Sequence, residues 1–92
     1  MTTTVTTWFV YMLRTQGGSL YTGISTDPPR RLIQHETGKG GARSLRGKGP
    51  LALVWQQAVT DRGSALRLEA RIKRLPKAAK ERIVKGEREA EL

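Results

Sequence analysis

The sequence predicts a small α/β domain, built in the order ββαβαα around a mainly antiparallel sheet. Three observations predict it. Two runs rich in β-branched and aromatic residues, "TWFVYMLR" (7–14) and "LYTGIS" (20–25), flank a glycine turn. A third such run, "PLALVWQQAV" (50–59), stands between two segments with helix start and stop signals. A chain of 92 residues has room for one domain with a modest core.

Each element has a local reason. The first run is apolar on both faces, as expected of an interior strand covered on both sides. In "TQGGS", Gly17 and Gly18 can take the positive φ of a tight turn. In "TDPPRRLIQHETG", Thr26 or Asp27 can cap a helix, Pro28 suits its first turn and Gly38 can close it. Residues 38–49 form a loop with five glycines and four cations. Pro50 marks the start of the third strand. A second helix runs from about Asp61 to Leu75, and Pro76 separates it from a third at 77–85, closed by Gly86. The expected boundaries are a frayed lead at 1–7, one domain at 8–86 and a loose charged tail at 87–92.

Lys and Arg total 17 against 8 acids, a formal charge of +9. A compact domain this basic repels itself, and a polyanionic partner, nucleic acid first, accounts for the excess. The absence of cysteine excludes disulfides and thiolate metal sites and fits a cytoplasmic setting. A single histidine excludes a multi-histidine zinc site. No apolar run approaches the roughly 20 residues that span a membrane, and "MTTTVTT" lacks the charged start and apolar centre of a signal peptide.

The residues that carry chemistry are few. A two-residue Gly17-Gly18 loop would put Tyr11 and Tyr21 on opposite sheet faces, whereas a three- or five-residue loop or a bulge puts them on one face. Packing favours the shared face. It groups Trp8, Val10, Met12, Leu20 and Ile24 on the other side and leaves Tyr11 and Tyr21 beside small Ser19, Gly23 and Ser25. Arg31 and His35, four residues apart, share one helix face, either solvated or turned toward the tyrosines. Ala65, Leu68, Ile72 and Leu75 form the apolar stripe of the second helix, extended by Leu66. Glu69 lies at the edge of that arc, with Arg67, Arg71 and Arg74 pointing elsewhere. It reads either as a surface pair with Lys73 or as a lone carboxylate able to hold Mg2+ together with substrate phosphate and water. Lys39, Arg43, Arg46 and Lys48 lie in the glycine-rich loop and suit a nucleic-acid backbone without reading its bases.

"FVY" (9–11) and "YTG" (21–23), with Arg31 eight residues after Gly23, His35 four later and Glu69 in the later helix, resemble the GIY-YIG nuclease superfamily. From about Trp8 to Gly86 the chain resembles its small stand-alone bacterial members (the UPF0213-like group), notably in "ALRLEARIK" and "LPKAAKERIV". Phe9, Val10 and Thr22 depart from the literal motif at backbone and packing positions. The resemblance implies an α+β fold, with a three-stranded antiparallel sheet flanked by three helices. It implies an endonuclease that hydrolyses phosphodiester bonds, DNA before RNA, with possible roles in repair or recombination. It assigns Glu69 to one divalent ion, Mg2+ or alternatively Mn2+, and Tyr11 to activation of the attacking water. Arg31 would neutralise phosphoryl charge, and Tyr21 and His35 would orient water or phosphate. A phenol ordinarily titrates near pH 10, so nearby cations must lower Tyr11 for a tyrosinate to act; His35 as the base is the other option. A non-cleaving binding module, and a catalytic subunit that needs a targeting partner, are the competing classes.

Overall fold

In the computed structural model, which describes residues 6–37, 45 and 49–90, the two leading runs fold back on each other as β1 (Trp8–Arg14) and β2 (Leu20–Ser25). The turn is set by backbone geometry. Thr15 N–H donates to Ser19 O at 2.9 Å, Gly18 N–H donates to Thr15 O at 2.9 Å, and Gly18 has φ +92°. This is the three-residue hairpin loop in which a glycine supplies the left-handed position. The pairs Tyr11–Gly23 and Leu13–Tyr21 follow, so both tyrosines occupy one face, as packing predicted.

Helix α1 (Pro28–Thr37) starts where expected, with Asp27 Oδ1 accepting from Arg30 N–H at 3.2 Å. Strand β3 (Ala52–Val59) begins two residues later than the sequence reading and pairs antiparallel with β1, giving the order β2-β1-β3. A register irregularity between Met12 and Leu13 lets Trp55 face Met12 and Leu53 face Leu13. Helix α2 (Arg62–Lys73) is capped by Asp61, whose Oδ1 accepts from Ser64 N–H at 2.7 Å, and α3 (Lys77–Val84) follows Pro76. The architecture is the mixed α/β arrangement ββαβαα with three antiparallel strands and three helices.

The central strand β1 divides two cores. On one face Val10 and Met12 pack with Ala65, Leu68 and Ile72 of α2 and Ile83 of α3, with Trp8, Leu20, Ile24 and Trp55 around them. On the other, Tyr11 and Leu13 pack with Leu45 and Leu51, with Tyr21, Leu32 and Leu53 at the margin. Leu66 does not extend the apolar arc: it is 39% exposed, because the arc is only as wide as the sheet it covers. Arg14 and Glu81 form a bidentate pair at 2.7 and 2.6 Å that ties β1 to α3 and holds the Glu81 carboxyl down at about 2. Among the described residues no helix is long and apolar enough to cross a membrane. The closing glycine foreseen at Gly38 and the basic-loop residues Lys39, Arg43, Arg46 and Lys48 lie outside the described residues.

Thr22 is anomalous. It is 3% exposed, and among the described residues its Oγ1 has no hydrogen-bond partner. A buried, unpartnered hydroxyl loses its hydration without compensation. Thr22→Val keeps the shape and removes that loss, so it is expected to raise stability by about 1–2 kcal/mol. Thermal unfolding beside Thr22→Ser, which keeps the hydroxyl and gains nothing, checks this.

Candidate functional site

The site is built at β2, one of the two edge strands of the described sheet. Tyr11 stands on β1 but its ring lies across Gly23 of β2. A Cβ at position 23 would meet the Tyr11 oxygen at 2.6 Å, Tyr11 Cζ at 2.7 Å and Tyr21 Cε1 at 3.1 Å. Only a glycine allows this close approach, and it lets a phenol from the central strand reach the sheet margin. Gly23→Ala is therefore expected to drive the phenol out of place. A misplacement of about 1 Å costs roughly 10²-fold in rate, and overpacking costs about 1–3 kcal/mol in stability. A melt and a rate measured on the same preparation separate the two effects.

Helix α1 brings its residues to the same place. His35 is 4% exposed, and its Nε2 lies 3.0 Å from the Tyr11 hydroxyl. The His35 ring meets Tyr21 edge-on at 5.2 Å, and Tyr11 and Tyr21 are 6.4 Å apart between ring centres. Arg31, one turn before His35, lies close enough to the Tyr11 phenol to oppose its rise, and donates to Gln34 Oε1 at 2.9 Å. Gln34 escaped the sequence reading. It holds the guanidinium from the same helix face, and the only signal for it is the three-residue spacing.

Glu69 arrives from the opposite side of the sheet, on the helix whose Leu68 and Ile72 fill the other core. Its side chain is 18% exposed and pairs with Lys73 at 3.5 Å, so the expected surface pair is present. The same carboxylate is near enough to push the Tyr11 phenol upward. Tyr11, Tyr21, Arg31 and His35 are thus brought together at the β2 margin from two strands and one helix, with the Glu69 carboxylate acting on the Tyr11 phenol only through its charge.

The electrostatics correct one expectation. Nearby cations, a bound divalent ion included, were to lower the Tyr11 phenol, and without that ion the side chains of the fold do not achieve it. Instead burial pushes it up to about 12, with Tyr21 and Glu69 adding to the rise and Arg31 opposing it. Desolvation of the phenolate outweighs a single nearby guanidinium. Burial, reinforced by Arg31, pushes the His35 imidazolium below its ordinary 6.5. At neutral pH a protonated phenol therefore faces a neutral imidazole, and Tyr11 O–H can donate to Nε2.

Among the described residues no group of three or more His, Cys, Asp or Glu side chains could hold a metal ion. What the site offers is one partly sheltered carboxylate, Glu69. That donor suits a hard divalent ion that takes most of its ligands from water and phosphate, and it suits no softer metal.

Residues 7–82 match the family model described as the GIY-YIG catalytic domain. The chain is 65% identical over 77 residues to a UPF0213 protein of Aeromonas hydrophila, covering 84% of this chain and 56% of that one. It thus spans little more than half of that relative's length. A UPF0213 protein of Serratia liquefaciens is 56% identical over 84 residues, covering 91% of this chain and 81% of the relative. Among solved structures, the fold is similar to the solution NMR structure of a UPF0213 protein from Bacillus halodurans (TM-score 0.55, 39% identity, 86% and 83% of the two chains). It is also similar to that of a protein from E. faecalis (TM-score 0.60, 32% identity, 87% and 84%).

Proposed function

The chain belongs to the GIY-YIG catalytic-domain family, a nuclease superfamily, and from that premise we propose that it is a divalent-metal-dependent endonuclease, with DNA as its first expected substrate. The observation that carries the proposal is the 3.0 Å contact between the Tyr11 hydroxyl and His35 Nε2. It joins a phenol pushed up to about 12 with an imidazole pushed down. Any buried phenol needs a partner; what supports the reading is that this partner is a neutral imidazole able to take a proton, with Arg31 beside it.

The reading gives each residue a task. In the ion-free protein Tyr11 does not stand as a phenolate, since at about 12 almost none is ionised near neutrality. It acts as a relay: its oxygen takes a proton from the attacking water as its own proton passes to His35 Nε2. The water oxygen bonds to phosphorus, the bond to the leaving oxygen breaks, and His35 is left as imidazolium. Arg31 lies against negative charge gathering on the phosphoryl oxygens. Tyr21 and Gln34 fix the imidazole and the guanidinium. Glu69 would hold the ion, Mg2+ or Mn2+, which supplies positive charge to the scissile phosphate and the leaving oxygen. The basic residues Lys39, Arg43, Arg46 and Lys48 supply backbone attraction.

The test is cleavage of end-labelled single-stranded, duplex and branched DNA, and of RNA, with Mg2+, Mn2+ or EDTA. Cutting in either ion and none in EDTA is expected, and the preferred polymer identifies the substrate. Tight binding of every polymer with no cutting would replace the nuclease by a binding module.

A further inference from the structure

Away from the tyrosines, the molecule has a second gathering of cationic forks. Where α2, α3 and the segment after Gly86 meet, a cavity of about 500 Å³ is lined by Arg71, Arg74 and Arg88 and by Ile72, Leu75 and Ile83. Among the described residues no salt bridge engages any of these three guanidiniums. The wall that carries Arg88 is anchored on both sides. Glu87 N–H donates to Arg82 O at 2.9 Å, and Ala90 packs against the core cluster of Val10 and Met12.

The lining describes its ligand. Arginine forks match phosphate oxygens in geometry and charge. The apolar floor is the half-buried surface of Leu75 and Ala90, backed by buried Ile72 and Ile83, and it suits the edge of a base or sugar. Glu89, the one acid in the lining, can accept from an amino group or a sugar hydroxyl and would repel a second phosphate next to it. The volume falls within the range of about 300–1,000 Å³ usual for small-molecule sites. Three arginines around a purely polar hollow would suit inorganic anions equally well; the apolar floor is what asks for a nucleoside.

We propose that this cavity binds a nucleoside monophosphate group, with its phosphate on Arg71, Arg74 and Arg88 and its nucleoside on the apolar floor. Two sources share that chemistry: one unit of a bound strand, or a free mononucleotide. The site is separate from the tyrosine site. On α2, Glu69 and Arg71 diverge by about 200° around the axis, so a strand reaching both must cross the helix. The cavity then holds a part of the polymer distant from the bond being cut.

The experiment is NMR of the arginine Nε–Hε groups in the intact, metal-free chain. It is titrated in turn with deoxyadenosine monophosphate, a short single-stranded oligonucleotide and inorganic phosphate. Saturable shifts of Arg71, Arg74 and Arg88 are expected, with inorganic phosphate about tenfold weaker or worse. Arg71→Gln/Arg74→Gln, read at Arg88, is expected to weaken binding by about tenfold or more at an unchanged melting temperature. Arg88→Gln, read at Arg71 and Arg74, is the second variant should the double one unfold. An oligonucleotide that binds about tenfold tighter than the monophosphate assigns the strand as source, and equal affinity assigns the free nucleotide. Shifts confined to Arg31, phosphate binding as tightly as nucleotide, or variants that bind like the wild type would each overturn the proposal. No cleavage is read, so failure here leaves the nuclease assignment standing, and an inactive tyrosine site leaves this result intact.

Discussion

Replacing Tyr11 with phenylalanine is expected to slow cleavage by about 10²–10⁴-fold, the range for loss of a positioned proton-transfer group. The variant loses one oxygen and keeps the ring over Gly23. Its stability is expected to fall by only about 1–2 kcal/mol, from the hydrogen bond taken from buried His35. The pH profile separates the relay from a standing phenolate. His35 is depressed below 6.5, so the relay is competent once pH rises through that lowered value and is lost below it. The rate should climb on the acid side and then stay flat through about pH 7 to 9. A phenolate base would keep gaining with each pH unit toward about 12. A flat profile supports the relay, and a slope near one across neutrality would sink it.

The second large effect is at Glu69. Glu69→Gln retains shape and removes the charge that would hold the ion, worth several kcal/mol of transition-state stabilisation, or about 10³-fold in rate. Mn2+ binding, followed by its electron paramagnetic resonance, should be lost with it. Metal-free affinity for DNA should stay level or rise, because a negative charge has gone from a cationic surface. The phenol gives a useful control. Glu69 raises Tyr11, so its removal eases Tyr11 downward, which by itself favours proton transfer. A fall in rate therefore cannot be charged to the tyrosine. Activity that persists in Glu69→Gln would mean that the ion is held elsewhere or that the activity belongs to a contaminant.

Local signals carried most of the architecture. β1, β2 and the start of α1 were legible because a glycine turn, an Asx cap and a first-turn proline act within a few residues. The hairpin register was legible only in part. Loops of two, three or five residues fitted "TQGGS", and packing rejected the first. The α2 stripe gave Ala65, Leu68 and Ile72 but overreached at Leu66, since helical spacing cannot say how wide the covering sheet is. The tail was read as loose through 87–92, yet Ala90 packs on the core, and Arg88 turns solvated-looking Arg71 and Arg74 into a cavity wall.

The candidate site was legible as a residue set and not as chemistry. Tyr11, Tyr21, Arg31, His35 and Glu69 stand out by type and interval, but their protonation depends on burial, which no interval encodes. The sequence shows many cations and so suggests an acidic phenol. The fold puts Tyr11 at 1% exposure, and desolvation reverses the sign. Gly23 was seen as a small neighbour. That it is the floor on which the phenol rests became visible only when β2 was paired with β1.

The two faces of β1 have a consequence for when the molecule becomes dangerous. Tyr11, Tyr21, Arg31 and His35 come from one hairpin and the helix after it, all emerging early in synthesis. Glu69 comes from a helix made later and reaches them only after Ala65, Leu68 and Ile72 have closed over the reverse side of the sheet. On the proposed reading, a nascent or misfolded chain would carry the phosphate-facing side chains without the carboxylate assigned to the ion. On that same reading, an acid placed behind the sheet makes completed folding a precondition for cutting.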